Sequence, residues 1–308
     1  MKRSSRLAFI ITASSLGGVG AVSAALAGYV SQPRRTSLAA RSKDLEKEGR
    51  WDKFQSIPSM PYEVKSHDGY TLHAQLLKAE KPSSRFVIIS HGYGDNHYGA
   101  VKYALMYHDL GFNCILYDLR GHGENKKAPV TLGQKESQDL LTLIGDVRMT
   151  FGRHVSIGLH GESMGASLSV MALRYRPDIS FIVSDCGYGD IIKILKDQLR
   201  RRFHLPQFFI RTASLANRIM YGYFFGSIRP IRYLKGNEIP ICFIHGDADR
   251  FISPDQSEDM YKTTWGYSEI HLFPGADHAE CLLSDEKRYR QVVRDFLISI
   301  GQLPDQKA

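Results

Sequence analysis

The chain has 308 residues, of which 43% are hydrophobic and 23% charged, and its formal net charge is +8. This composition excludes a disordered or fibrous protein, and we expect one core domain of about 250 residues with extensions. Residues 1–50 contain nine basic and three acidic side chains, a net +6, which leaves only +2 for the remainder. Because nucleic-acid binding requires a basic surface on the folded domain, we expect no nucleic-acid partner.

The amino-terminal segment has two interpretations. Lys2, Arg3 and Arg6 precede an uncharged stretch at residues 7–30, which as a helix would span roughly 36 Å, enough to cross a bilayer. It is either an uncleaved membrane anchor or a secretory signal with its cleavage site at the small residues 25–27, and its length favours the anchor. We expect the anchor or signal at residues 1–35 and a membrane-proximal linker or helix at 36–60. Residues 61–303 would then lie outside the cytoplasm, on a single-pass membrane protein or a secreted one.

Short apolar runs alternate with amphipathic helical stretches along residues 61–303. The strand-like runs include residues 86–89, 114–117, 181–183 and 241–244. Residues 289–300 carry apolar side chains at the spacing of one helix face. This alternation predicts an α/β fold with a mostly parallel central sheet flanked by helices.

The pattern G-x-S-x-G follows another apolar run, at residues 155–159, and precedes a helical stretch at 166–175. Strand, sharp turn and helix are the context in which such a serine is exposed at the carboxyl edge of a sheet. Gly161 and Gly165 would be needed because a side chain at either position would clash within so tight a turn. Ser163 is therefore the candidate nucleophile.

The residues that would activate Ser163 follow it in the order acid, then histidine. Asp249 and Asp247 both come directly after the strand-like run at 241–244, and we favour Asp249. His278 lies in a loop after the last predicted strand, at 269–273, where its imidazole could reach the serine.

An acyl-transfer site also needs two backbone N–H groups that bind the oxyanion. The residue after the nucleophile, Met164, can supply one. The other would come from Tyr93, in a loop that begins with His91 and Gly92 directly after the run at 86–89.

Together these motifs resemble the α/β-hydrolase superfamily, and the sequence is most similar to membrane-anchored α/β hydrolases of Gram-positive bacteria. The matching segments are residues 91–94, 117–123, 161–165, 245–249 and 275–278. The resemblance implies Ser163 as nucleophile, Asp249 as acid and His278 as base, without metal or cofactor. It also implies a helical cap at about 187–235, whose many aromatic residues either cover an apolar substrate group or seat the cap on the core.

The most favoured function is hydrolysis of a small-molecule ester or amide outside the cytoplasm, by a serine esterase with an acyl-enzyme intermediate. The alternatives are a serine aminopeptidase-like hydrolase, an acyltransferase of the same fold and, less favoured, a non-catalytic binding protein. An aminopeptidase would need acidic groups for the substrate's amino terminus, and Glu162 is the one acid beside the serine. The sequence has no H-E-x-x-H motif and no zinc-like cysteine spacing, so we expect no metal.

Overall fold

The computed structural model describes residues 3–305, with side chains from residue 17 onward. The strands are β1 (Ser59–Lys65), β2 (Thr71–Leu77), β3 (Arg85–Ser90), β4 (Asn113–Tyr117), β5 (Ser156–Glu162), β6 (Phe181–Asp185), β7 (Ile241–Gly246) and β8 (Ser268–Phe273). The α-helices are α1 (Arg3–Ser31), α2 (Leu38–Lys47), α3 (Trp51–Ser56), α4 (Val101–Asp109), α5 (Glu136–Phe151), α6 (Met164–Ala172), α7 (Ile191–Gln198), α8 (Phe208–Tyr221), α9 (Asp255–Thr263), α10 (Cys281–Ser284) and α11 (Glu286–Ser299).

The eight strands form one sheet in the order β1-β2-β4-β3-β5-β6-β7-β8. β2 pairs antiparallel with both β1 and β4, whereas every pair from β4 to β8 is parallel. The mostly parallel sheet that the sequence predicts is therefore confirmed. Because parallel strands end at the same edge, the loops after β3, β5, β7 and β8 meet there.

Helices cover both faces of the sheet, which explains why the central strands are apolar on both sides. One face packs against α5, α6 and α9, and the other against α4 and α11. The apolar stripe predicted near the carboxyl end is the buried face of α11, formed by Tyr289, Val293, Phe296 and Leu297.

Between β6 and β7 the chain forms the helical cap, which consists of α7, a π-helical turn at Leu199–Phe203 and α8. The carboxyl half of α1 packs against α8 in the cap. The Ser23 hydroxyl donates to the Thr212 hydroxyl at 2.7 Å, and the Ser31 hydroxyl donates to the Asn217 side chain at 2.7 Å. Ala27, between them, is completely buried. Small residues on α1 therefore allow the two helices to approach closely.

The structure does not support the predicted membrane anchor or cleaved signal. Of the helices in the part of the chain that the structure describes, none is both long and apolar enough to span a bilayer. Residues 7–16 of the predicted segment lie outside the residues whose side chains are described. The rest of the segment, residues 17–30, is the part of α1 that packs on the cap.

Candidate active site

Ser163 occupies the sharp turn between β5 and α6, with φ +55° and ψ −113°. A Cβ atom at position 161 would lie 2.2 Å from the carbonyl carbon of Gly165. One at position 165 would lie 2.0 Å from the carbonyl oxygen of Ser90. Both positions therefore require glycine, for the reason that the sequence suggests. The Ser163 N–H donates to the Asp185 carbonyl at 2.8 Å, which fixes the turn to β6.

The structure brings together three of the predicted site residues. The Ser163 hydroxyl lies 2.9 Å from Nε2 of His278, and Nδ1 of the same ring lies 2.7 Å from Oδ2 of Asp249. With Nδ1–H donating to the carboxylate, Nε2 is left as the acceptor for the serine proton. This arrangement is the one that general-base activation of a serine requires.

Asp249 accepts hydrogen bonds on both carboxylate oxygens. The backbone N–H groups of Phe251 and Ile252 donate to Oδ1 at 2.8 Å each, and Oδ2 is bonded by His278 and, at 3.1 Å, by His245. Burial alone would raise the pKa of Asp249, but these hydrogen bonds outweigh it and hold the pKa well below its usual range. The carboxylate is therefore ionised and able to stabilise an imidazolium.

Asp247, the alternative acid, has a different environment. Its side chain is exposed, and Oδ1 accepts a hydrogen bond from the Gly275 N–H at 2.7 Å. It therefore orders the loop that carries His278 without contacting the imidazole.

His245 is a site residue that the sequence reasoning missed. Its Nε2 faces two acceptors, the Ile252 carbonyl at 2.9 Å and Oδ2 of Asp249 at 3.1 Å, so Nε2 carries the proton. Nδ1 is then left to accept from the Ser257 hydroxyl at 2.7 Å. The sequence feature that could have identified His245 is its position at the carboxyl end of a buried strand, four residues before the acid.

Met164 and Tyr93, the predicted oxyanion donors, line the same cavity as Ser163. Met164 is the first residue of α6, so its N–H has no acceptor within the helix. The Met164 N–H is thus free of an acceptor within α6, and the assignment of the second donor to the Tyr93 N–H stays a prediction.

Two buried histidines hold the Tyr93 loop in place. His91 donates from Nδ1 to the Gly92 carbonyl at 2.7 Å and accepts at Nε2 from the Leu119 N–H at 3.0 Å. His122 lies in the opposite loop, and its Nε2 accepts a hydrogen bond from the Gly94 N–H at 3.0 Å. Burial lowers the pKa of both rings, that of His122 to about 3, so both are neutral. The sequence predicts that His91 and Gly92 support the site, and in the structure His91 does so by hydrogen bonds that join two loops.

The cavity beside Ser163 has a volume of about 120 Å³. Its walls come from α1, α7 and the loop that follows Asp249, and the lining is almost entirely apolar. The apolar side chains include Val30, Leu132, Ile191, Ile194, Leu195 and Ile252. The contribution of α1, through Tyr29 and Val30, was not predicted because the sequence assigns these residues to a leader. None of the predicted cap aromatics at 203–225 lines this cavity, and Phe209, Tyr223 and Phe225 are instead buried in the packing of the cap.

A buried ion pair lies behind the nucleophile. Nζ of Lys102 is 2.6 Å from Oε2 of Glu162, and the Tyr103 hydroxyl is 2.7 Å from the same oxygen. Burial would raise the pKa of Glu162, but the ammonium outweighs it and lowers the pKa. Lys102 also donates to the Ala279 carbonyl at 3.2 Å, next to His278.

Three groups of side chains within the described residues have donor atoms close enough for a metal ion. They are Cys242 with Glu269 and His271, His67 with Asp68 and Asp139, and His97 with Asp118 and Glu124. In the second group both carboxylates already bind Arg120. None of the three groups includes Ser163, Asp249 or His278.

Comparisons with known proteins agree with the observed fold. The family described as the alpha/beta hydrolase fold matches residues 85–229. An uncharacterized protein of Bacillus subtilis, YqkD, is 26% identical over 253 residues, which is 80% of this chain and 82% of the relative. An uncharacterized membrane protein of Saccharomyces cerevisiae, YNL320W, is 25% identical over 79% of this chain and 81% of its own length.

Among solved structures, the esterase Pf2001 of Pyrococcus furiosus has the same fold. It superposes with a TM-score of 0.69 at 21% identity, over 88% of this chain and 98% of its own. The family match over residues 85–229 and the shared architecture show that this chain has the α/β-hydrolase fold.

Proposed function

We propose that this α/β hydrolase is a serine esterase that cleaves small-molecule carboxylic esters through an acyl-enzyme. The observation that carries the proposal is the continuous hydrogen-bonded chain from Ser163 through His278 to Asp249, at the mouth of an apolar cavity. No metal or cofactor is needed for this chemistry.

In the first half-reaction, Oγ of Ser163 attacks the ester carbonyl carbon while its proton passes to Nε2 of His278. The N–H groups of Met164 and Tyr93 bind the resulting oxyanion. The C–O bond to the alcohol then breaks, and His278 returns its proton to the leaving oxygen. In the second half-reaction water attacks the acyl carbon while its proton passes to Nε2 of His278. The bond between that carbon and Oγ of Ser163 then breaks, Oγ takes the proton back from His278, and the acid is released. Asp249 stays ionised throughout and stabilises the imidazolium.

The aminopeptidase alternative loses its one acidic candidate. Glu162 is bound by Lys102 and Tyr103, and its side chain is only 10% exposed, so it is not free to hold an ammonium group of a substrate. An acyltransferase would share the first half-reaction and differ only in the acceptor, so product analysis separates it from an esterase. The likeness to an esterase of known structure adds support for ester hydrolysis.

The test is labelling of the purified protein with a fluorophosphonate, together with hydrolysis of p-nitrophenyl acetate. Ser163→Ala should abolish labelling and lower turnover by about 10⁴-fold or more. Ser299→Ala, at an exposed serine at the end of α11, is the matched control and should change neither. EDTA should have no effect. Undiminished turnover in the Ser163→Ala protein, or a requirement for added zinc, would refute the proposal.

We further propose that the enzyme works at the outer face of the cell membrane, or is secreted. The net +6 of residues 1–50 suits anionic lipid headgroups. In addition, α8 exposes Leu215, Ile219 and Met220, the second of them 78% accessible, at the surface of the cap. Fractionation of intact cells, with surface proteolysis before lysis, tests the location. A protein found only in the soluble cytoplasmic fraction would contradict it.

A further inference from the structure

A second cavity continues the one at Ser163. It has a volume of about 40 Å³ and lies between α1, α7 and α8. Four residues, Tyr29, Val30, Leu195 and Gln198, line both cavities, so the two adjoin across these side chains. Beyond them the wall is formed by apolar side chains, among them Leu26, Leu199, Ile210, Ala213 and Phe225. The two adjoining cavities, called the path below, therefore extend from the nucleophile to the seam between α1 and the cap, with the four shared side chains between them.

The wall that α1 contributes is fixed in place. In addition to the contacts of α1 with Thr212 and Asn217, the hydroxyl of Ser31, its last residue, lies 3.0 Å from the Tyr223 hydroxyl. The Ser31 carbonyl accepts from the Val130 N–H at 2.9 Å. A helix held this way can shape a binding site.

The lining of the first cavity shows which half of an ester enters it. Ser163, Met164 and Tyr93 all line the cavity, but His278 does not. The leaving alcohol must lie next to Nε2 of His278, because that atom protonates it. This difference favours the cavity as the place of the acyl side of the scissile bond.

We propose that this path binds an unbranched fatty acyl chain of medium length, so that the enzyme prefers esters of such acids. The inference rests on the proposed esterase function and specifies its substrate class. A single-file methylene chain suits a small second cavity that is reached between four side chains, whereas an aromatic ring is wider. Each methylene that leaves water should raise kcat/KM by up to about fourfold.

The experiment measures kcat/KM for p-nitrophenyl acetate, butyrate, octanoate and palmitate. We expect a rise from acetate to octanoate. Leu26→Trp fills the second cavity from α1 and should lower the octanoate value at least about tenfold, the effect of roughly two buried methylenes, with acetate within about twofold. Ala25→Trp, on the exposed face of the same helix, is the matched control and should leave the whole series unchanged. Ala213→Leu fills the cavity from α8 and should act like Leu26→Trp.

Binding gives a second measurement that needs no turnover. Octanoate should displace a fluorescent fatty acid from the Ser163→Ala protein. Adding Leu26→Trp to that protein should weaken the affinity for octanoate at least about tenfold, which again corresponds to about two buried methylenes. A wild-type optimum at acetate, or cavity-filling variants that affect acetate and octanoate equally, would overturn the acyl path and leave the esterase proposal intact. A third outcome is that the protein hydrolyses no ester but binds octanoate, and that Leu26→Trp weakens this binding. That outcome would support the proposed acyl path and refute the proposed esterase function.

Discussion

The Tyr93 hydroxyl donates a hydrogen bond to the Val30 carbonyl at 2.8 Å and approaches the Tyr29 carbonyl at 3.2 Å. Both carbonyls lie in the last turn of α1, where carbonyl groups have no partner within the helix. On the other side of the loop, the Gly94 carbonyl accepts from the Thr36 N–H at 2.8 Å. The residue whose backbone N–H is proposed to bind the oxyanion thus holds the end of the amino-terminal helix with its side chain.

Tyr93→Phe should therefore weaken the docking of α1. We expect the free energy of unfolding to fall by about 1 kcal/mol, the usual value of one hydrogen bond, and urea denaturation measures it. Tyr261→Phe is the control, because Tyr261 is 37% exposed against 38% for Tyr93. Its hydroxyl has no hydrogen-bond partner among residues 17–305, whose side chains the structure describes. Equal stabilities of the two variants would show that the Tyr93 contact contributes nothing.

The two aspartates after β7 should respond very differently to the same substitution. Asp249→Asn removes the charge that orients and stabilises the His278 imidazolium, and should lower kcat/KM about 10³-fold or more. Asp247→Asn removes a charge from an exposed residue that contacts only backbone, and should cost no more than about threefold, as for one weakened hydrogen bond. Steady-state kinetics with p-nitrophenyl acetate decide the matter. A larger defect at Asp247 would reverse the assignment of the acid.

Replacing Lys102 should show how much the buried ion pair matters for stability. Lys102→Met leaves the Glu162 carboxylate buried without its counter-charge, and should lower the free energy of unfolding by about 3–5 kcal/mol. The matched control is Lys193→Met, which breaks a pair with Asp259 at 2.7 Å whose lysine is 55% exposed. Its cost should be about 0–1 kcal/mol. Urea denaturation of both variants measures the difference, and similar losses would mean that Glu162 is solvated.

The buried histidines should make the fold sensitive to acid. Burial lowers the pKa of His160 to about 3, against an ordinary value of 6.5. Below pH 6.5 the unfolded chain therefore binds a proton that the folded protein does not. The stability present above that pH is lost as the pH falls toward 3, at up to about 1.4 kcal/mol per pH unit for each such histidine.

Denaturation in urea at several pH values between 6.5 and 4 checks this slope. His160→Gln should flatten it by about 1.4 kcal/mol per pH unit at most, whatever it does to stability at neutral pH. His154→Gln, at an exposed histidine, should leave the slope unchanged. An unaltered slope in the His160→Gln protein would mean that this ring takes up a proton while the protein is folded.

Local patterns in the sequence were sufficient for the parallel strands β3 to β8 and for the proximity of Ser163, Asp249 and His278, but not for the antiparallel strands β1 and β2. Alternating strands and helices place loops at one edge, and the motif order selects residues on those loops. The contacts of His245, His122 and Lys102 could not be predicted, because they join residues from different elements of the sheet edge. The catalytic roles of Ser163, Asp249 and His278, and the structural roles of the other three residues, stay predictions until the variants are measured.

The place of α1 could not be predicted for a different physical reason. Ser23, Ala27 and Gly28 are small and uncharged, which is compatible with packing in a membrane and equally with close packing on another helix. Gly28 lies next to α8, since a Cβ there would be in ordinary van der Waals contact with the Tyr221 hydroxyl, at 3.6 Å. Only the complementary surface on α8 distinguishes packing in a membrane from packing on another helix.

The seating of α1 has a consequence for how this chain is processed in the cell. The small residues 25–27, where a signal peptidase would cut, lie inside a helix that is packed on α8. A protease needs an extended strand, so such a cut would have to precede folding or wait for the helix to unwind. A protein cut there would also lack the side chains of α1 before Gly28, including Leu26. Such a protein would keep Ser163 and lose part of one wall of the second cavity, to which Leu26 belongs.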